Sequence, residues 1–317
     1  MASKEAARLP SILLEYGNGK LRTRELGGVF RSFAWGMQGA GLILVGDRGR
    51  IVKVEGESLI SIASGTRQNL RGISVSPLDG SILAVGNAGS AILVDEKTPL
   101  SKMQDLGSEN LRAASWNPEG TLALIAGNGG SLLVYKDGTA QIIGDGRANL
   151  RHIAWRPKTD LALVTSNCFA EEFFPSSNLF SYEAESQVFN SVNEGRADLV
   201  GVDWKPDGSS AIVVGYDVIW HNGVISTFDG QNLSPIEFAN KGVYPVAVAW
   251  NPKEPVAAIV TAAAQAGMGE GTVYLWDESE LRPIFRNNTF FFSAVTWNKK
   301  GTELFALGSS ATRAFNC

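Results

Sequence analysis

The chain reads as an all-β, seven-bladed β-propeller of four-stranded antiparallel blades, closed by pairing of its N- and C-terminal segments. Three observations predict this. A Trp-centred motif recurs at a propeller period; the segments within one period count to four strands; and 35 of 317 residues are glycine, about 11% against a usual ~7%. A repeat takes precedence over local helix or strand readings, because it decides the whole architecture.

The motif is clearest in Asn69-Leu-Arg-Gly-Ile-Ser-Val75-Ser-Pro77, Asn110-Leu-Arg-Ala-Ala-Ser-Trp116-Asn-Pro118 and Asn149-Leu-Arg-His-Ile-Ala-Trp155-Arg-Pro157. It drifts at Asp198 to Pro206 and at Tyr244 to Pro252, and loses the proline in the members ending at Trp35 and Trp297. The marker position falls at 35, 75, 116, 155, 204, 250 and 297, giving spacings of 40, 41, 39, 49, 46 and 47. Seven units of this length match blades of about four strands each.

One unit shows the count. Leu111 to Trp116 alternates as a first strand, Asn117 to Gly120 is a turn and Thr121 to Ala126 a second strand. Gly127 to Gly130 is a hairpin turn, Ser131 to Tyr135 a third strand, Lys136 to Gly138 a turn and Thr139 to Ile143 a fourth strand. The surplus glycine thus falls in turns that require positive φ.

Closure needs a blade built from both ends. The last unit supplies Phe292 to Trp297, Glu303 to Leu307 and a candidate strand at Thr312 to Phe315, while Lys20 to Leu26 fits the missing outer strand. Ile12 to Tyr16 also reads as a third strand, so either terminus can fill that place. Residues 11–317 are expected to form one propeller domain behind an N-terminal tail, 1–10.

The units resemble WD40-type repeats in length and in the Trp-Asn-Pro-x-Gly turn, and Leu275-Trp276-Asp277 is similar to the closing dipeptide of that family. A Gly-His pair is missing, and blade six alone carries Trp-Asp. The early blades resemble photosystem II assembly-factor and BNR-like propellers in Val45-Gly-Asp-Arg-Gly49, Val85-Gly-Asn-Ala-Gly89, Ala126-Gly-Asn-Gly-Gly130 and the Asn-Leu-Arg triplets. That resemblance covers blades one to four, and implies a binding role without naming a partner.

Four residues before the marker stand Arg31, Arg71, Arg112 and Arg151 in blades one to four, against Val200, Val246 and Ser293 in the rest. In a propeller this position opens the innermost strand at the channel rim. Four like charges are therefore expected in an arc at one mouth, with Arg67, Arg147 and Arg196 in loops of the same face. Guanidinium forks match carboxylate and phosphate geometry, and the assembly-factor resemblance associates such a patch with partner binding. The alternative is structural: each arginine fastens blades through carbonyls or through Asp47, Glu109 or Asp198. Two longer loops share the face, Cys168 to Ser177 and Ala262 to Gly271. The first offers Phe169, Phe173 and Phe174 as aromatic contacts for a partner.

Composition limits the other classes. Lys+Arg 28 against Asp+Glu 32 gives a net charge of −4, which disfavours nucleic acid as partner. Cys168 and Cys317 are isolated from each other and from histidine clusters, so no disulfide framework, metal site or cofactor is expected, and a reducing, cytoplasmic setting fits. Met1 to Pro10 has no signal-like apolar run; Val256 to Ala264 is too short to span a bilayer. His152 reads as a packed strand residue and His221 as a solvated turn residue, so acid–base catalysis has little to draw on. The expected function is a non-catalytic scaffold that binds a protein partner or a small anionic ligand. The alternative is a propeller enzyme, a sialidase-like hydrolase or a lyase, that grips a carboxylate with the arginines; the Ser-x-Asp-x-Gly-x-Thr-Trp box is missing.

Overall fold

The computed structural model describes residues 10–94, 102–144, 146, 148–167, 176–217, 219–238, 240–263 and 270–309. Seven four-stranded antiparallel sheets follow one another around a ring. Their innermost strands are Phe30–Trp35, Leu70–Val75, Leu111–Trp116, Asn149–Trp155, Asp198–Trp204, Val243–Trp250 and Phe291–Trp297. Each of the first six blades takes its strands in chain order from the axis outward. No helix among the described residues is long and apolar enough to cross a membrane.

The closing blade settles which terminus completes it. Phe291–Trp297 and Glu303–Ser309 pair with Ile12–Gly17, which pairs in turn with Lys20–Glu25. The N-terminus supplies the third and the outer strand; Thr312 to Phe315 lies outside the described residues.

Packing explains why the second strands are almost wholly apolar. In Leu42–Gly46 every residue is buried, because successive side chains point to opposite faces of the sheet. Leu42 and Leu44 pack towards blade seven with Leu13, Phe305 and Leu307, whereas Ile43 and Val45 pack towards blade two with Leu70, Ile73 and Ile82. The core is therefore a set of inter-blade layers rather than one central mass. Each fully buried Leu or Ile contributes about 1.5–3 kcal/mol.

Polar links supplement those layers. Two marker tryptophans reach back to the preceding blade, Trp155 Nε1 donating to the Ser115 carbonyl at 3.1 Å and Trp297 Nε1 to the Ala249 carbonyl at 3.2 Å, whereas Nε1 of Trp35, Trp116, Trp204 and Trp250 is buried without a hydrogen-bond partner. Side chains one residue before the marker reach forward. Ser74 Oγ accepts the Trp116 N–H at 3.0 Å, and Asp203 Oδ2 accepts the Trp250 N–H at 2.7 Å. The turn after the marker is held by its asparagine, with Asn117 Oδ1 accepting from Thr121 N and Leu122 N.

Glycine is required by close approach as well as by φ. A Cβ on Gly86 would lie 2.2 Å from the Asn69 carbonyl oxygen, and Gly89, at φ 66°, sits where a Cβ would lie 2.0 Å from the Gly107 oxygen. The Gly-Asn-x-Gly turn thus brings two stretches of backbone closer than any side chain permits.

Candidate functional site

The arginine position is a β-bulge in its blade. Pairing between the innermost and second strands skips from Phe30 to Ser32, Leu70 to Gly72, Leu111 to Ala113 and Leu150 to His152. It skips likewise from Leu199 to Gly201, Pro245 to Ala247 and Phe292 to Ala294. The skipped residues are Arg31, Arg71, Arg112, Arg151, Val200, Val246 and Ser293. A bulge turns one side chain out of the ladder, and here it frees four guanidiniums where the strands begin.

Each arginine bonds to the residue sixteen positions later, at the end of the second strand of its own blade or in the turn that follows it. Arg31 makes a bidentate pair with Asp47, Nε to Oδ1 at 2.6 Å and Nη2 to Oδ2 at 3.1 Å. Arg71 Nε donates to Asn87 Oδ1 and Arg112 Nε to Asn128 Oδ1, both at 3.1 Å. Arg151 Nε donates to Asn167 Oδ1, and its Nη1 crosses to blade three to meet Asn128 Oδ1 at 2.8 Å.

The rest of the triplet acts on the neighbouring blade. Asn69 Oδ1 accepts from Arg48 N at 2.9 Å, Asn110 Oδ1 from Ala88 N at 3.2 Å and Asn149 Oδ1 from Gly129 N at 2.9 Å. Leu70, Leu111 and Leu150 are buried. Asn-Leu-Arg is therefore a three-part fastener. Its Asn holds the preceding blade's turn, its Leu enters the core and its Arg holds its own turn.

Arg112 and Arg151 converge on one oxygen, Asn128 Oδ1. Burial, then Arg151 and Arg31, lower the Arg112 pKa to about 10. Burial also lowers that of Arg151, with Arg71 adding to the effect and Tyr216 and Asp198 opposing it. Arg112 is paired with a neutral amide, unlike Arg31. Like charges brought together out of water are costly unless an opposite charge lies between them.

Blades five and six continue the face with different chemistry, which the sequence reading missed. Tyr216 stands sixteen residues after Val200, in the place of Asn167, and Asn167 Nδ2 donates to its hydroxyl at 3.4 Å. Burial and then Asp198 push the Tyr216 pKa up to about 12. Its ring stacks on Tyr244 with centroids 4.7 Å apart, and Tyr244 Oη lies 3.1 Å from His221 Nδ1. His221 is thus tied to a tyrosine rather than merely solvated. Beside it, Trp220 is 64% exposed. The signal available in the sequence was register: Trp220 has no place in the Trp frame.

Of the other expected residues, Arg67 and Arg196 are exposed. Arg67 joins Arg48, Arg50, Phe30 and Leu59 around a groove of about 670 Å³ on blade one. Arg147, Phe169, Phe173, Phe174, Cys168 and Cys317 lie outside the described residues, as do 264–269 of the blade-six loop. His152 is not packed away as expected. It is exposed on the innermost strand. Among the described residues no three His, Cys, Asp or Glu side chains gather as a metal-ligand group.

Solved structures share this architecture. The chain is similar to a chain of hydrazine synthase from Kuenenia stuttgartiensis, at TM-score 0.70 and 16% identity over 95% of this chain and 100% of that one. It is similar to the β-propeller domain of Cps50 (Swd1) from Myceliophteria thermophila, at TM-score 0.67 and 12% identity over 94% and 100%. A third likeness, to a protein of Agrobacterium tumefaciens described as TolB, has TM-score 0.61 and 13% identity over 96% and 99%. The fold is a seven-bladed β-propeller. At these identities the propeller likeness establishes fold alone. No family model matches the chain, and no curated protein does. None of these likenesses bears out the resemblance of the early blades to assembly-factor and BNR-like repeats.

Proposed function

We propose that the propeller is a non-catalytic binding scaffold, acting in a cytoplasmic setting, whose arginine mouth takes a carboxylate or similar anion, carried by a protein partner or a small ligand. The observation that carries this reading is Arg112. Half-buried, it shares the neutral Asn128 Oδ1 with Arg151, and partial burial with the neighbouring Arg151 and Arg31 charges lowers its pKa to about 10. An anion seated between Arg112 and Arg151 relieves that repulsion and gains charge-assisted hydrogen bonds, worth about 1.5–3 kcal/mol each. His221 is already engaged with Tyr244, which supports binding over acid–base catalysis.

Blade fastening is the second reading, and Arg31 favours it, since its fork is filled by Asp47. Titration calorimetry with a glutamate-rich peptide separates the two. Binding by the wild type that falls at least tenfold in Arg112→Gln, at unchanged secondary structure, is the expected result. Equal binding by both proteins overturns the proposal.

A further inference from the structure

The face has two chemically different halves, joined through one side chain. Asn167 accepts from Arg151 through Oδ1 and donates to Tyr216 through Nδ2, so the arginine arc of blades one to four runs directly into a tyrosine ridge. That ridge continues through Tyr244 to His221 and ends in the hairpin tip Ile219–Trp220, 47% and 64% exposed. Trp220 is the one tryptophan of eight that the structure leaves exposed. The tip is fixed in place. Asp217 Oδ1 accepts both the Ile219 N–H at 2.9 Å and the Trp220 N–H at 3.0 Å, and the His221 carbonyl accepts from Gly242 N at 2.8 Å. Two large apolar side chains held rigidly in water, beside an arc of cations, constitute an anchor without a cover.

We propose that the face takes an acidic peptide segment of a partner protein in which a carboxylate lies close to an apolar side chain. The carboxylate enters between Arg112 and Arg151, and the apolar side chain covers Ile219 and Trp220. This rests on the arginine reading above and narrows it to one occupant. Charge placement favours a peptide over a nucleic acid. Asp47 and Asp198 stand beside Arg31 and Arg151, and Asp217 lies at the base of the Ile219–Trp220 tip, so a strand bearing a phosphate at every step meets repulsion that a single carboxylate avoids. Among the described residues, one exposed aromatic also offers no succession of stacking platforms.

Blocked peptides of repeating Glu-Leu-Ser, Glu-Gly-Ser and Lys-Leu-Ser, together with an oligothymidylate, test the proposal on the full chain. Binding is followed by calorimetry and by acrylamide quenching of tryptophan emission. The Glu-Leu-Ser peptide is expected to bind at least tenfold more tightly than Glu-Gly-Ser and to shield Trp220 from quenching. Trp220→Ala should remove that tenfold advantage and leave Glu-Gly-Ser affinity unchanged, Trp220→Phe should retain most of it, and Arg112→Gln should weaken both peptides. Equal affinity for the two glutamate peptides, with Arg112→Gln still weakening both, overturns the apolar anchor and leaves the arginine reading standing. If Arg112→Gln changes neither, the arginine reading itself fails. Tighter binding of the oligothymidylate or of Lys-Leu-Ser overturns the peptide assignment.

Discussion

Arg151 reaches across the boundary between blades three and four to Asn128, Nη1 to Oδ1 at 2.8 Å, and the same oxygen accepts Arg112 Nε at 3.1 Å. One neutral amide thus serves two guanidiniums that repel each other. Blade one solves the equivalent problem with a carboxylate, Asp47. Arg112 thus meets a neutral amide where Arg31 meets a carboxylate, and the difference can be reversed by one substitution.

Asn128→Asp should supply the missing charge. Melting should rise by a few degrees, corresponding to about 1–2 kcal/mol for a partly buried charge-assisted bond. The affinity of a glutamate-rich peptide should fall at least tenfold, because the internal carboxylate takes the place of the external one. Scanning calorimetry and titration calorimetry on the same preparation check both halves. A lower melting temperature would show that repulsion between Arg112 and Arg151 is not what the mouth has to relieve.

The double variant Arg71→Ala/Arg112→Ala separates fastening from binding in the opposite direction. Each substitution removes a guanidinium and leaves a turn asparagine, Asn87 or Asn128, short of one donor. A loss of about 1–3 kcal/mol is expected, with the fold kept and the peptide affinity gone. A protein that melts far lower yet binds as well as the wild type assigns these arginines to blade fastening.

Asp203 gives the ring a pH dependence. Its carboxylate accepts the N–H groups of Trp204 and Trp250, but burial outweighs those bonds and raises its pKa to about 7. The folded value exceeds the unfolded one, so this group's contribution is complete below about pH 4 and is lost as pH rises through about 7. At about 1.4 kcal/mol per unit the loss is at most about 4 kcal/mol. Melting temperature followed from pH 4 to pH 8 should fall more steeply for the wild type than for Asp203→Asn. Parallel curves would show that the carboxylate ionises as it does in water.

The repeat made the architecture legible because propeller blades are bound by local rules: a turn needs its glycine, a layer its alternating apolar residues, a marker its tryptophan. What the sequence left open was the pairing of columns. Arg31, Arg71, Arg112 and Arg151 were visible as one column, and the Gly-Asp/Asn-x-Gly turns as another, but the sixteen-residue offset that bonds them follows from the bulge and the strand register. Tyr216 was hidden for the same reason, since its kinship with Asn167 appears only when Val200 is aligned with the arginines. Asp203 sits in a column otherwise held by small residues, Ala34, Ser74, Ser115, Ala154, Ala249 and Thr296. That irregularity was readable, but its burial between two backbone donors required the neighbouring blade.

Closure supplies the last prediction. Ile12–Gly17 is inserted between Glu303–Ser309 and Lys20–Glu25, and its two central leucines serve different layers: Leu13 packs with the blade-one cluster and Leu14 with the layer shared by blades six and seven. Ser11 latches the same segment to blade one, its Oγ accepting the Phe30 N–H at 2.8 Å and its N–H donating to the Gly28 carbonyl at 2.7 Å. Arg24 adds a clasp from the outer strand, Nη1 to the Gly56 carbonyl at 2.8 Å. Because Leu14 is fully buried, Leu14→Ala should cost about 2–5 kcal/mol, while Arg24→Ala, whose bond is exposed, should cost well under that. If the ring opens at this seam first, native-state hydrogen exchange in Leu14→Ala will speed up in blade seven and at the start of blade one before it does in blades three to five. Uniform acceleration around the ring would instead make the closing blade as firmly held as the rest.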